Sequence, residues 1–368
     1  MKAMKSIVFA VTNDLSYDQR MQRFCTALQN SGCPVELIGR QHQHSSEPEH
    51  TSFRQRRLRC LFSKGPLFYA EYNFRLFFVL LRHPADIFGA CDLDTALAVC
   101  LAAKIKKRKS VFDAHEHFTE VPEVESRKFV KSVWHAIGKW CIPRFHVRFT
   151  VGDSLAEILS KEFKAPFSVI RNIPELNEAP ILTADKREKL IVYQGALNEG
   201  RGLEHAITAM KDLPDFRFRL IGEGDLSIQL RALTTKLGLN DRVEFAGYIL
   251  PKDLHALTYK SLVGLNLLEA RSKSYYFSLA NKFFDYLHAG VPSINMNFPE
   301  YRKIIDKYRV GVCIDTLSPE EIVKVVLKIT AETEVLESMI HACATARMEF
   351  TWQKEQVKLL DIIRKIGN

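Results

Sequence analysis

Short runs of β-branched and aromatic residues alternate with stretches of helical periodicity along nearly the whole chain, and this alternation limits the fold more than any other feature. The first run, at 7–11, leads through a polar loop into a helical pattern that places Phe24 and Leu28 on one face. A second strand-like run follows at 35–39. Strands that alternate with helices are typical of βαβ units, so the sequence predicts parallel sheets covered by helices.

The alternation breaks once, over residues 174–188, where prolines and a charged stretch replace the apolar runs. The predicted strands are 7–11, 35–39, 86–90, 110–114, 149–151 and 167–170 before the break, and 190–194, 216–221, 243–247, 263–268, 293–296 and 310–314 after it. A chain of 368 residues is too long for one ordinary core. We therefore predict two Rossmann-like, doubly wound parallel-sheet domains, at 1–176 and 177–348. An amphipathic C-terminal helix at 349–368 could pack on either domain.

Charge and cysteine content narrow the classes of protein. Basic residues exceed acidic ones, 52 against 43, which suggests anionic partners. The eight cysteines are scattered without metal-site spacing, which favours reduced thiols. The first residues run directly into a strand, and no apolar run approaches the roughly 20 residues that span a bilayer. We therefore expect a cytoplasmic protein.

Residues 53–82 interleave arginine with aromatic and aliphatic residues. This pattern predicts either a peripheral contact with anionic membrane, at the inner face of the plasma membrane, or a buried helix with solvated basic ends. A nucleic-acid surface is not expected, because no DNA- or RNA-binding motif accompanies the charge.

A nicotinamide or flavin enzyme is the first hypothesis for twin doubly wound domains. The first strand, however, opens into Val11-Thr-Asn-Asp rather than into a GxGxxG turn, and the P-loop pattern is also absent. Without those glycines the backbone cannot wrap a pyrophosphate at that turn. A dinucleotide enzyme is therefore disfavoured.

Three segments of the predicted second domain could bind a phosphate group. The loop after the strand at 190–194 contains three glycines and Arg201. A shorter glycine loop follows at 221–224, and an aromatic segment at 274–292 leads into a helix. Helix N-terminal amides beside a guanidinium suit a diphosphate. Glycine is also the default residue of such turns, so a glycine loop alone is equally consistent with ordinary turn chemistry, and the aromatic segment alone favours a structural role.

Taken in order, these segments resemble the donor domain of glycosyltransferase family 4, which has the GT-B fold. The matching residues of the second domain are 194–197, 201–203, 220–224, 243–248 and 275–292. In the first domain, residues 17–21, 92–95 and 113–116 resemble a bacterial subgroup that builds surface polysaccharides or glycolipids. The resemblance implies an α/β protein whose two Rossmann-like domains face a cleft.

The resemblance also implies the reaction, a retaining transfer of a sugar from a nucleoside diphosphate to a glycan or lipid-linked acceptor. UDP or GDP is the expected carrier. No metal and no further cofactor are implied, because positive side chains and a helix N-terminus stabilise the leaving diphosphate. Residues 278–280 would offer backbone amides to the donor, and His115 would contact the transferred sugar. By position, the implied catalytic residues are His115, Arg201 and Asp285; the donor-binding residues are Gly195, Gly222, Glu223, Gly224, Tyr248, Ser278, Leu279, Ala280, Asn281 and Lys282; the acceptor residues are Asn13, Asp14, Arg20 and Glu116.

Two positions depart from the family pattern. Phe277 stands where the family has the first of two paired acids, and Ala196 stands where it has an arginine. Two other hypotheses therefore stay open, a nucleotide-sugar epimerase of similar design and a noncatalytic nucleotide- or lipid-binding relative. At the level of residues, His115 could instead be structural, and Asp14 or Asp18 could be helix caps.

Overall fold

The computed structural model describes residues 4–367, except for 16, 17, 43–50, 122, 123, 125, 126 and 177. Tyr17, which opens one of the motifs above, and residue 177, where the second domain was predicted to start, lie outside the described residues. The chain divides into two compact units, Met1–Asn172 with Gln353–Asn368, and Ile173–Trp352.

The first unit contains a sheet of seven described strands, all paired in parallel in the order β3-β2-β1-β4-β5-β6-β7. The strands are β1 Ile7–Ala10, β2 Val35–Arg40, β3 Arg54–Leu58, β4 Ile87–Cys91, β5 Lys109–Ala114, β6 Val147–Thr150 and β7 Ser168–Val169. The helices are α1 Gln19–Asn30, α2 Gly65–Arg82, α3 Leu93–Lys106, α4 Lys128–Cys141 and α5 Asp153–Phe163. Strands β1 and β4 are buried along their whole length, as expected for a sheet covered on both faces.

The basic segment at 53–82 is only partly helical, so the alternative of a buried helix is confirmed for 65–82 and is wrong for 54–58. Residues 54–58 form the edge strand β3, and α2 begins only at Gly65. The sequence Arg-Gln-Arg-Arg-Leu has a period of two, which exposes Arg54 and Arg56 and buries Leu58. Charged side chains on an edge strand protect it from pairing with another chain.

The second unit contains six described strands, again all parallel, in the order β10-β9-β8-β11-β12-β13. The strands are β8 Glu188–Gln194, β9 Arg217–Ile221, β10 Val243–Gly247, β11 Ser261–Asn266, β12 Ser293–Met296 and β13 Gly311–Ile314. The helices are α6 Leu203–Ala209, α7 Ser227–Lys236, α8 Pro251–Thr258, α9 Lys273–Tyr276, α10 Asn281–Ala289, α11 Pro299–Tyr308, α12 Pro319–Ala331 and α13 Thr333–Ala346. The prediction of two Rossmann-like parallel-sheet domains is confirmed.

The last helix, α14 Trp352–Gly367, groups almost entirely with the first unit. Its Leu359 and Ile363 are buried, and the Glu355 carboxylate accepts a hydrogen bond from the Arg171 amide at 3.1 Å. The chain therefore returns to the first unit after completing the second. Among the residues that the structure describes, no helix combines the length and apolar character needed to cross a bilayer.

Candidate active-site residues in the two units

A buried charge network lies where β1, β4 and β5 end side by side in the first unit. The Asp113 carboxylate accepts hydrogen bonds from Nε and Nη2 of Arg20, at 2.8 and 2.7 Å. Both side chains are buried, and Nη1 of Arg20 donates to the Ile170 carbonyl at 2.7 Å. Burial alone would raise the pKa of Asp113, but Arg20 and then His115 hold it well below its usual value. Arg20 thus acts inside the protein, which corrects its predicted contact with an acceptor.

His115 follows β5 and lies between two carboxylates. Its Nε2 is 3.0 Å from Oδ2 of Asp113, and its Nδ1 is 3.7 Å from Oδ2 of Asp92. Burial alone would lower the pKa of the imidazole, but Asp92 and Asp113 raise it to about 9. Burial also raises the pKa of Asp92 to about 8, so the two groups titrate as a coupled pair. His115 keeps 21% of its side chain exposed, so its ring is accessible to a small ligand.

Asp92 is a functional candidate that the sequence interpretation left out of the site. Its φ of 56° lies in the left-handed region, which a non-glycine residue adopts at a cost of about 1–3 kcal/mol. The strained backbone lets its Oδ1 accept a hydrogen bond from the His115 amide at 2.9 Å. A carboxylate directly after a strand and before a helix was the available signal. Strain of this kind clusters at functional sites, so we add Asp92 to the candidate residues as a positioning residue.

The charge state of His115 predicts a pH dependence. Because its pKa in the folded protein is raised to about 9, donor turnover that needs the imidazolium should fall as the pH rises through about 9. The raised pKa of His115 also increases the free energy of unfolding. This contribution is fully present below about pH 6.5 and is lost as the pH rises through about 9. Rate profiles and thermal unfolding between pH 6 and 10 measure both effects.

Replacing Asp92 tests the assignment of that titration. Asp92→Asn removes one carboxylate, and asparagine tolerates a positive φ, so the pKa of His115 should fall and the alkaline limb should move to lower pH. Asp153→Asn is the matched control, since Asp153 is half-exposed and pairs with Arg171. An alkaline limb that stays in place in Asp92→Asn would assign the titration to another group.

Cys91, Asp113 and His115 also converge, with one potential ligand atom of each within 4.8 Å of the others. Spacing along the chain does not predict this group, because its members come from two adjacent strand ends. Arg20 already engages both Asp113 oxygens, and burial raises the pKa of the Cys91 thiol well above its usual value. Metal ligands must be deprotonated. We therefore interpret the group as part of the ion-pair network, and independence from metal stays a prediction.

The other predicted acceptor residues lie at the same strand ends with different surroundings. Asp14 pairs with Arg57 at 3.4 Å. Asn13 and Glu116 are exposed. Asp18 caps α1 by accepting a hydrogen bond from the Met21 amide at 3.0 Å, so its interpretation as a helix cap is confirmed.

Two glycine loops of the second unit interlock where β8 and β9 end. Gly195 and Gly222 have φ of 129° and 137°, and a Cβ on Gly222 would lie 2.1 Å from the Gly195 carbonyl oxygen. Only glycine allows this approach. Further along, the Leu197 amide donates to the Glu223 carbonyl at 3.2 Å. The predicted donor-binding glycines, Gly224 included, therefore share one edge of the sheet.

Two cations beside these loops form no ion pair within 4.0 Å among the described residues. Lys282 is 8% exposed, and its Nζ lies 3.6 Å from the centre of the Tyr193 ring. The Arg201 guanidinium lies 4.8 Å from the centre of the Tyr275 ring, and its buried Nε has no hydrogen-bond partner in the described part of the chain. Burial lowers the pKa of Lys282 well below its usual value, and Arg201 lowers it further. The Asp285 carboxylate on the same helix opposes this shift but does not offset it, and the two neighbouring cations are suited to binding an anion.

The aromatic turn before α10 uses two of the three amides that were predicted to face the donor. The Ser278 amide donates to the Tyr275 carbonyl at 3.2 Å, and the Ala280 amide donates to the Tyr301 hydroxyl at 2.9 Å. The turn folds as the short helix α9, whose end captures Ser278. This internal bonding corrects the prediction for these two amides.

The start of α10 keeps free amides nonetheless. The backbone N–H groups of Leu279, Asn281 and Lys282 have no acceptor within the described residues, and the N-cap Ala280 has no side chain that could provide one. These amides carry the positive end of the helix dipole. The helix N-terminus and the Lys282 ammonium therefore present positive charge on the same segment.

Asp285 lies one turn further along α10 and is held by a polar pair that the sequence did not indicate. Nε2 of Gln194 donates to its carboxylate at 2.7 Å, and Oε1 of Gln194 accepts from the Thr258 hydroxyl at 2.9 Å.

Glu223 and Tyr248, predicted to lie near the nucleoside, are exposed, and Glu223 pairs with Arg231 at 2.9 Å.

Burial of the Lys282 amino group should lower the stability of the protein, whereas its positive charge should favour ligand binding. Lys282→Met should raise the free energy of unfolding by about 1 kcal/mol, because it removes a buried amino group that forms no ion pair within 4.0 Å among the described residues. The same change should weaken nucleoside diphosphate binding about tenfold. Thermal unfolding and titration calorimetry measure the two effects, with the exposed Lys236→Met as control. A variant that is less stable yet binds UDP normally would contradict this role.

Two family models match the chain in succession. The model described as Glycosyltransferase Family 4 matches residues 19–175, and the model described as Glycosyl transferases group 1 matches residues 175–344. The chain belongs to glycosyltransferase family 4. The boundary between the two models falls next to the division between the two structural units.

The chain is similar to a known glycosyltransferase over part of its length and to solved structures in its fold. The lipopolysaccharide core biosynthesis glycosyltransferase LpsD of Rhizobium meliloti is 31% identical over 101 residues, which cover 26% of this chain; the match spans 29% of that protein. Sucrose-phosphate synthase of Thermosynechococcus elongatus has a TM-score of 0.79 at 14% identity, with 98% of this chain and 99% of that chain covered. HepE of Anabaena, in complex with UDP-glucose, has a TM-score of 0.77 at 12% identity, with 98% and 100% covered. The two structures share the GT-B fold with this chain.

The two departures from the pattern of glycosyltransferase family 4 have different surroundings. Phe277 is partly buried and packs edge-on against Tyr276, with ring centres 4.9 Å apart. Ala196 is exposed. Its neighbour Gly195 has no side chain, which leaves room for Lys282, whose Nζ would be 3.3 Å from a Cβ added at Gly195. Lys282 therefore supplies positive charge close to where the family arginine is missing.

Proposed function

We propose that the chain is a retaining glycosyltransferase that moves a sugar from a nucleoside diphosphate to a glycan or lipid-linked acceptor in the assembly of surface polysaccharide or glycolipid. One observation carries the proposal. Two neighbouring cations, Arg201 and Lys282, lie at the N-terminus of α10, and neither forms an ion pair with a carboxylate among the described residues. A diphosphate supplies the missing negative charge. The reaction would take place in the cytoplasm.

The proposed reaction needs no protein nucleophile. The bond between the anomeric carbon and the diphosphate oxygen breaks, and its electron pair leaves with the diphosphate. The acceptor hydroxyl attacks the same face of the sugar, and its proton passes to the diphosphate oxygen that has just been released. The protein orients the partners and stabilises the charge that develops on the diphosphate.

Each candidate residue has a role in this scheme. Arg201, Lys282 and the free amides at the start of α10 stabilise the leaving diphosphate without a metal or cofactor. Asp285 contacts hydroxyl groups of the donor sugar, as the second acid of the family pattern would. His115 contacts the transferred sugar, with Asp92 and Asp113 keeping it protonated.

UDP is the first carrier to test. HepE, which shares the fold, has been crystallised with UDP and with UDP-glucose. GDP is the alternative carrier that the family resemblance implies.

A panel of nucleotide sugars with released UDP or GDP as the readout tests the proposal. Transfer to an acceptor, with an α-linked product from an α-linked donor by NMR, is the expected result. An inverted product would overturn the retaining mechanism. Release of free sugar or an epimer without any acceptor would favour an epimerase, and nucleotide binding without turnover would favour a noncatalytic relative.

A further inference from the structure

A pocket of about 390 Å³ opens in the first unit, at the edge of the sheet where the strands begin. Its charged and titratable lining residues are Arg54, Arg56, Arg82, Glu36 and His83, and we call it the arginine pocket. Because the strands of this sheet are parallel, the candidate active-site residues lie at the opposite edge, about 13 Å away along β4. The arginine pocket uses none of the residues assigned to sugar transfer.

The register of β2 and β3 places two of the arginines on one face of the sheet. Arg54 is paired with Glu36 and Arg56 with Ile38, and paired residues of parallel strands point to the same face. Ile38 belongs to the apolar core beneath α2, so both arginines lie on the face that α2 covers. Arg82 is the last residue of α2. Three guanidinium groups from two elements therefore line one pocket.

These three arginines have no acid to neutralise them. In the part of the chain that the structure describes, Arg54, Arg56 and Arg82 form no ion pair within 4.0 Å. Nη1 of Arg82 donates to the Phe78 carbonyl of its own helix at 3.3 Å, which leaves its charge uncompensated. Guanidinium groups recognise phosphate and carboxylate through paired, charge-assisted hydrogen bonds. The arginine pocket is therefore suited to an anion that carries more than one negative charge.

Glu36 gives the same pocket an acceptor for hydroxyl groups. Its Oε2 lies 3.2 Å from Nε2 of His83. The hydrogen bond with His83, together with the charges of His83, Arg56 and Arg54, holds the pKa of Glu36 below its usual value although burial opposes the shift. An ionised carboxylate has about four acceptor positions, so one that contacts His83 can also accept hydrogen bonds from a ligand.

Apolar side chains form the rest of the lining and limit the size of the ligand. They include Ile7, Pro34, Val79 and Pro84. Such side chains contact the C–H groups of a ring while a few polar groups fix its orientation. A volume of about 390 Å³ is near the lower end of the roughly 300–1,000 Å³ of small-molecule sites, which favours a single sugar over a longer glycan.

We propose that the arginine pocket binds a monosaccharide phosphomonoester, away from the residues assigned to sugar transfer. A phosphomonoester carries about −1.5 to −2 charges near neutral pH and three acceptor oxygens, which suits three guanidinium groups better than the single charge of a carboxylate does. The arginines hold the phosphate, Glu36 accepts a hydrogen bond from a sugar hydroxyl, and the apolar side chains contact the ring. This ligand binds whether or not the donor site is occupied.

Titration calorimetry of the full chain with glucose 6-phosphate tests the proposal. Glucose 6-phosphate should bind at least tenfold more tightly than glucose, inorganic phosphate or glucuronate, which lack the phosphate, the ring and the second charge respectively. Saturating UDP should leave this affinity within twofold. No binding of glucose 6-phosphate, its displacement by UDP, or equally tight binding of inorganic phosphate would each overturn the proposal.

Variants of the lining residues locate the bound phosphate. The double variant Arg54→Gln, Arg56→Gln should weaken glucose 6-phosphate binding at least tenfold, and Arg82→Gln, on the other element, should weaken it at least threefold. Glu36→Gln should bring the affinities of glucose 6-phosphate and inorganic phosphate closer together, because it removes an acceptor for hydroxyl groups and a negative charge. Arg59→Gln is the matched control, since Arg59 is exposed directly after β3 and does not line the pocket.

Thermal unfolding and UDP affinity show whether each variant is folded, and both should match the wild type. The proposal is wrong if the folded double variant binds glucose 6-phosphate as tightly as Arg59→Gln does.

Discussion

Arg201→Ala should lower donor turnover, measured as kcat/KM, by about 10²–10³-fold, the loss expected when one preorganised charge is removed from a developing oxyanion. The reason is specific to this structure. Arg201 has no acid partner in the described part of the chain, and its buried Nε has no hydrogen-bond partner there, so its guanidinium is available to the diphosphate. Released UDP or GDP is the measurement.

Arg271→Ala is the matched control for this prediction. Arg271 lies beside the same loop, where its side chain would be 3.5 Å from a Cβ on Gly200, but it is engaged by Glu199 and Glu269. Its loss should change turnover less than threefold. Near-normal turnover in Arg201→Ala would remove Arg201 from the site, and equal losses in both variants would indicate a loop defect instead.

His115→Ala should lower kcat about 10²-fold while leaving UDP affinity within twofold of the wild type. His115 belongs to the first unit and carries a positive charge near neutral pH, whereas the candidate diphosphate cations belong to the second unit. In the proposed mechanism, its loss removes an interaction with the reacting sugar rather than with the nucleotide. Kinetics and calorimetry on the same preparation separate the two quantities.

Thermal unfolding keeps this result interpretable, because His115→Ala leaves Asp92 and Asp113 facing each other without the imidazole. His135→Ala, a histidine of the same unit that pairs with Glu162 at 3.1 Å, is the control and should retain activity. If His115→Ala binds UDP far more weakly but turns over the remaining complex normally, the proposed role of His115 is wrong.

Those parts of the molecule that depend on local pattern could be predicted from the sequence. The run that became β1 is apolar over its full length, and glycine loops at strand ends are readable from spacing alone. The order of Gly195, Gly222 and the segment before α10 predicts a diphosphate site, and the structure brings the two glycine loops together. Each of these signals lies within a few consecutive residues.

The other features of the fold and of the candidate site depend on contacts between residues that lie far apart in the sequence. The Arg20–Asp113 ion pair joins residues 93 positions apart. The motif around Arg20 shows only that this residue lies beside a loop predicted to face the acceptor, and it does not show that Arg20 is buried against Asp113. Asp92 acquires its role from a strained backbone that only the completed strand end imposes. The basic segment at 54–58 was misinterpreted because its period of two is short and its arginines obscure a strand pattern.

We expect a nucleoside diphosphate to bind between Arg201, Lys282 and the N-terminus of α10. A crystal structure of the chain with UDP tests it most directly. The predicted result places diphosphate oxygens within hydrogen-bond distance of the Arg201 guanidinium, the Lys282 ammonium and at least one free amide at 279–282. A diphosphate bound elsewhere, with both cations still unoccupied, would contradict it.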